Sequence, residues 1–342
     1  MNTIETGAPR YALFGWTGVG ALAGVLAGLA LTADGSLPGV VTPPPAVVVG
    51  LPVAKAVLDL AAVTTVGLSI LPLLVGLRPR EGSARVLARA RRWAVIAAAV
   101  WLAGTLASLA LETADVFPGR PVTFGEIGWY VTNIGSGNAL LIVAGCVLGY
   151  LVIGLFAVRY GESVPAELRI GVAVFALLPL AATGHAAPTG PGLRGINTIS
   201  MHLHVITAVL WTGGLLAVIM LMVADRALLA DVLPRYSLLA TACVFLTAGT
   251  GAFNGWFVLY ETPGVHWYAA LFDTGYGRIV LLKVAAILAA GLLGARTRFA
   301  LLPRLRRQQP AAIGTLAALE LGVMGVAYGL AAVLVRAPVI GG

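Results

Sequence analysis

The sequence predicts an all-α protein, a polytopic bundle of about nine transmembrane helices with its N-terminus in the cytoplasm and its C-terminus outside. Three observations predict it. Hydrophobic residues make up 59% of the 342-residue chain and charged residues only 11%, with a mean hydropathy of +0.95; a soluble domain carries about 25% charged residues. Apolar runs of roughly the 20 residues needed to cross a bilayer recur along the whole length. The basic residues concentrate in alternate connecting segments.

Taken in order, the expected spans are Tyr11–Leu31, Ala46–Leu77, Trp93–Leu111, Asn138–Val158, Ile170–Thr183, Ser200–Val223, Tyr236–Tyr260, Tyr276–Leu293 and Ala311–Val335. In hydrocarbon every backbone polar group must bond internally, so such runs are helices and not loops. The first lacks a small-residue cleavage site and reads as a span, not a removable signal. The second exceeds what a bilayer requires, so it must tilt, bend near Pro72 or project from the membrane. Residues 1–199 then hold five spans and residues 200–342 four, and the two stretches are expected to form one integrated membrane domain.

The orientation follows from the arginines. One alternate set of segments holds Arg10, then Arg78, Arg80, Arg85, Arg89, Arg91 and Arg92, then Arg159 and Arg169, Arg226 and Arg235, and Arg296, Arg298, Arg304, Arg306 and Arg307. The other holds only Arg120, Arg194, Arg278 and Arg336. Basic loops stay cytoplasmic. The net charge of +8 is therefore a topology signal, and nucleic acid is not an expected partner. The two cysteines, Cys146 and Cys243, fall inside spans and indicate no disulfide framework.

By this topology all four histidines lie on the outer side: His185 after the fifth span, His202 and His204 at the start of the sixth, and His266 between the seventh and eighth. Neutral imidazole is the commonest protein ligand for metals and suits copper, zinc, iron and nickel. Met201 adds a thioether, a soft ligand that fits Cu(I). On a regular helix residues two apart point about 200° away from each other, so His202 and His204 share an ion only where the helix begins or is distorted. His204 is the better placed, sharing a face with Ala208 and Trp211 at spacings of four and seven. Two readings stand side by side: a metal site, or interfacial imidazoles bonded to loop backbone.

Ionisable residues inside spans are a separate signal, because they are costly in lipid and tend to face the bundle interior. Lys55 and Asp59 lie four apart in the second span, Lys283 in the eighth and Glu320 in the ninth. With the polar Asn254 they form either a pathway or a buried ionic lock. Glycines at 213, 214, 249, 251 and 255 allow close helix approach.

The stretch from His204 through VITAVLWTGGLLAV resembles the histidine–tryptophan–glycine–glycine segment of CopD-family membrane proteins. Leu271–Phe299, with its Thr, Tyr-Gly-Arg and Leu-Leu-Lys, is similar to that family's second signature, and LEL…AAVLVRAPV to its closing helix. The resemblance covers about residues 200–336. It implies a copper-handling protein of the bacterial inner membrane that receives copper on the outer face for transport or delivery. No Met-rich or His-rich outer segment is present, which leaves copper capture to a separate periplasmic copper chaperone.

Three functions follow from these residues. The first is copper transport or delivery through His185, His202, His204, Met201 and His266, with movement past Asn254, Asp59 and Glu320. The second is a structural or assembly subunit linked to a respiratory oxidase, working with cytochrome oxidase assembly factors. The third is a b-type haem electron carrier with His185 and His204 as axial ligands. The histidines have no nucleophile or phosphate-binding motif beside them, so no enzyme is expected.

Overall fold

The computed structural model describes residues 12–33, 43–76, 83–182, 194–222, 225–262, 264, 266–306 and 313–339. These form twelve α-helices: α1 (Ala12–Leu31), α2 (Pro45–Val75), α3 (Ser83–Val116), α4 (Phe124–Asn133), α5 (Gly135–Tyr160), α6 (Ala166–Phe175), α7 (Arg194–Met222), α8 (Arg226–Glu261), α9 (Trp267–Asp273), α10 (Gly275–Arg296), α11 (Leu302–Arg306) and α12 (Ile313–Leu334). A π-helical turn, Thr297–Leu301, joins α10 to α11. No strand occurs among the described residues.

Among the described residues seven helices are long and apolar enough to cross a membrane, namely α2, α3, α5, α7, α8, α10 and α12. The apolar 20-residue α1 accompanies them. The fifth expected span differs: Ile170–Thr183 is not one long helix but the ten-residue α6 followed by a short 3-10 turn at Pro179–Ala182. Its α-helical part rises only about 15 Å, half of a hydrocarbon core. Proline at 179 ends the regular hydrogen-bond ladder there. The long second span is α2, continuous from Pro45 to Val75 with Pro52 and Pro72 inside it. The stretch 112–137, between the third and fourth expected spans, is largely helical, since α3 runs on to Val116 and α4 follows.

Helix packing rests on glycine. α1 presents Gly20 and Gly24 to α12, which presents Gly325 and Gly329 in return. A methyl at Gly20 would stand 2.1 Å from the Gly322 carbonyl oxygen, and one at Gly329 would stand 2.0 Å from that of Ala21. Spacings of four put these glycines on one stripe of each helix, so the backbones can touch. α2 meets α7 in the same way at Gly67 and Gly213. The largest core cluster joins α2, α3, α5, α7, α8 and α12 around Trp101, Tyr150 and Ile219, all under 2% exposed.

Polar contacts sort the helix ends into two sets. At one end Arg336 meets Asp115 and the Tyr276 N–H donates to the Pro338 carbonyl. At the other Arg91 pairs with Glu162, Arg235 donates to the carbonyls of Leu74 and Val75, and Arg298 to that of Ser237. This second end is the one expected to be cytoplasmic.

Candidate functional site

His204 lies ten residues into α7, about 15 Å along its axis. Its Nδ1 is 3.0 Å from the Thr247 carbonyl oxygen and 3.2 Å from Thr250 Oγ1, both on α8. Thr207, one turn on, joins the same helix through a 2.8 Å contact with Thr247 Oγ1. Gly251 faces the ring: a methyl there would stand 2.9 Å from Cε1. A backbone carbonyl only accepts, so Nδ1 carries the hydrogen and the Nε2 lone pair is left free. Metal-binding histidines are commonly oriented in this way.

Met201 sits three residues before His204, on the same helical face, and both line one cavity of about 220 Å³. Asn254 on α8 donates through Nδ2 to the Met201 sulfur at 3.7 Å, while its own Oδ1 is buried with no partner among the described residues. Imidazole and thioether suit Cu(I). The volume falls below the roughly 300–1,000 Å³ of drug-sized ligand sites, so the cavity suits an ion or a small ligand.

His202 faces elsewhere. Its Nδ1 bonds the Thr198 carbonyl of its own helix at 2.7 Å, helix backbone and not the loop backbone of the sequence reading. His266 is exposed at the start of α9, its ring 5.8 Å from that of Tyr268. His185 lies outside the described residues. No group of three or more His, Cys, Asp or Glu that could hold a metal forms among the described residues. The structure thus brings Met201 to His204 and holds His202 and His266 apart from them.

The buried charges divide into two sets. Lys55 Nζ is 2.6 Å from Glu112 Oε1, with both side chains about a tenth exposed (11% and 9%). Tyr130 OH donates to Glu112 Oε2 at 2.6 Å and meets Ser136 Oγ at 2.6 Å. Burial, and then the Glu112 hydrogen bond, push the Tyr130 hydroxyl above its ordinary range, so it remains a donor. Asp59 and Lys283 line the His204 cavity together with Lys55, Tyr276 and Tyr328. No ion pair joins Asp59 to Lys283 among the described residues. Glu112 is the participant that sequence reasoning missed. Its position just past the expected third span hid it, although an acid directly after a span end, with a lysine inside the neighbouring span, was the available signal.

Ala208, Lys283 and Tyr328 also line a second, smaller space of about 70 Å³, whose lining includes both His204 and Trp211. Trp211 also lines a third cavity of about 390 Å³, together with Tyr236, Arg298 and the buried Glu320.

Residues 45–196 match the family model described as Copper resistance protein D-like, N-terminal domain, and residues 230–334 match the model described as Copper resistance protein D. Met201, His204 and Trp211 lie between the two matched stretches, whereas Lys55, Asp59 and Glu112 fall in the first and Lys283 and Glu320 in the second. Over 124 residues the chain is 31% identical to the Copper transport protein CutJ of Bacillus subtilis (strain 168). That alignment covers 35% of this chain and 21% of the relative, so the similarity spans about a fifth of the relative's length. No solved structure matches the chain.

Proposed function

Because this multi-pass membrane chain belongs to the CopD copper-resistance family, we propose that it handles copper, taking Cu(I) at His204 and Met201 for transport or delivery across the membrane. The observation that supports this most is the pairing of a backbone-fixed imidazole and a thioether on one cavity wall. His204 Nε2 and Met201 Sδ are the donors, and Asn254 orients the sulfur. Asp59 contributes negative charge to a cavity that must accept a cation, and Lys283 opposes it, which keeps the empty site near neutrality. Glu112 neutralises Lys55 from outside this set. No catalytic step is assigned to any of these groups.

In this reading the basic segments face the cytoplasm and the His204 cavity opens toward the outer half. By the same topology His202 and His266 belong to that side. Copper arrives there from a periplasmic chaperone, and the surrounding bilayer is the protein's solvent.

The test is copper binding by protein purified in mild detergent under reducing conditions. Wild type is expected to hold copper and show no Soret band, and the double variant His204→Ala, Met201→Ala to hold at least about tenfold less at the same free copper. Equal loading in both proteins would reject the site. Copper uptake into vesicles then separates pathway from lock: loss in Asp59→Asn at normal protein levels places Asp59 on the pathway, and unchanged uptake makes it part of the lock.

A further inference from the structure

The cavity that holds Met201 and His204 carries more than those two donors. Lys283 enters its lining from α10, eight residues past Gly275 and about 12 Å along that helix. It also lines the smaller space that includes His204 and Trp211. Lys55, the other lysine of the cavity, is taken by Glu112. No ion pair reaches Lys283 among the described residues. Asp59 of the same lining acts on it only through space. An ammonium inside a membrane protein is costly without a counter-ion in contact, and its three N–H groups only donate.

Charge decides what the filled cavity needs. With Lys55 balanced by Glu112, Asp59 and Lys283 cancel, and His204 Nε2 and Met201 Sδ are neutral donors. A cuprous ion alone therefore leaves one uncompensated positive charge in a low-dielectric space. A small anion entering with it restores neutrality and gives the Lys283 ammonium an acceptor. Coordination points the same way. Two neutral donors leave Cu(I) open to a further ligand, and no group of three or more His, Cys, Asp or Glu forms among the described residues to supply it. The Asp59 carboxylate is a hard donor that suits other metals better than Cu(I). The room is there as well: the cavity measures about 220 Å³, against about 30 Å³ for one water in the liquid. Tyr276 and Tyr328, whose hydroxyls can donate, complete its polar lining.

We propose that this cavity is a joint site for Cu(I) and a small soft monoanion of the halide class, the anion bound to copper and resting against the Lys283 ammonium. The proposal rests on the reading of His204 and Met201 as copper donors and names what completes that site. Copper then enters as a neutral unit with its anion, and Lys283 is the residue that selects for it.

The test uses the full chain in mild detergent under reducing conditions, as wild type, Lys283→Met and Lys283→Arg, all first shown to be monodisperse. Chelator competition at fixed free Cu(I) reads copper affinity, with bromide replacing gluconate at constant ionic strength. X-ray absorption at the copper edge reads whether bromine is bound to copper. Wild type is expected to gain about tenfold in copper affinity once bromide reaches roughly ten times its own dissociation constant, with bromine on the copper. Lys283→Met is expected to lose both the gain and the bromine, and Lys283→Arg to keep them. A wild-type affinity that ignores bromide, copper without bromine, or a Lys283→Met protein that responds as wild type does overturns the proposal. With copper still lost in His204→Ala, Met201→Ala, any of these results leaves the copper site standing. Equal copper loading in wild type and in that double variant overturns the copper site and this proposal together, so the two failures are distinguishable.

Discussion

Met201, not His202, shares a cavity wall with His204. The two lie three residues apart on α7 and face the same space, whereas His202 turns back to bond the Thr198 carbonyl at 2.7 Å. A helix turns about 100° per residue, so the neighbour at three positions is a partner and the neighbour at two is not.

Copper binding should therefore discriminate between the two histidines. His204→Ala is expected to weaken copper binding by at least about tenfold, and His202→Ala to leave it within about twofold. Titration of each purified variant against a copper-competing chelator reads the difference. The opposite order would move the site to the mouth of α7.

Breaking the Lys55–Glu112 pair should destabilise the protein strongly. Glu112→Ala leaves a buried lysine and the Tyr130 hydroxyl without their acceptor. Losing one partner of a buried pair typically costs about 3–5 kcal/mol, while replacing both by apolar residues of similar volume is near neutral. Inactivation half-life at fixed temperature should fall sharply for Glu112→Ala and for Lys55→Ala and recover in Lys55→Met, Glu112→Leu. Equal losses in all three would mean that side-chain volume, and not charge, governs this spot.

The α2–α7 contact should resist even one added methyl. At Gly67 that methyl would lie 2.0 Å from the Gly213 carbonyl oxygen, and at Gly213 it would lie 2.3 Å from that of Val63. Both obstacles are backbone, so Gly213→Ala is expected to lose about 1–3 kcal/mol of stability. Gly249 has open space around its Cβ position, so Gly249→Ala should be neutral or slightly stabilising. Thermal stability of the two variants side by side checks this, and similar behaviour would reject the close-approach argument.

Acidification should loosen the start of α4. Thr123 and Glu126 form a reciprocal cap, with the Thr123 N–H donating to Glu126 Oε2 at 2.8 Å and the Glu126 N–H to Thr123 Oγ1 at 3.3 Å. The Thr123 backbone hydrogen bond, more than Arg120, holds the Glu126 carboxyl below its usual range. A lowered folded value means that the stabilisation is complete above the ordinary carboxylate range and disappears as pH falls through the lowered value. Amide hydrogen exchange in α4 should accelerate over that acidic window in wild type, with no such step in Glu126→Gln. A pH-independent rate in wild type would remove the cap from the argument.

The helices were legible in the sequence because hydrophobicity is a local property: runs such as Trp93–Leu111 and Tyr236–Tyr260 must be helical in lipid whatever they pack against. The helical spacing of His204, Ala208 and Trp211 was legible for the same reason, and both His204 and Ala208 line the two adjoining cavities. The glycine stripes of α1 and α12 were written in the sequence as spacings of four, but their pairing with each other depends on which helices become neighbours. Partner choice belonged to the tertiary structure alone. Lys55 and Asp59 share a helix face, yet Lys55 is claimed by Glu112 on α3, 57 positions away in sequence and 2.6 Å away in space. Thr247 fixes the His204 ring from α8, and Trp211 lines one space with His204 and another with Glu320. Backbone hydrogen bonding and lipid contact act over a few residues and are read from periodicity. Ion pairs, ring orientation and cavities form between helices distant along the chain, and only the packed bundle decides them.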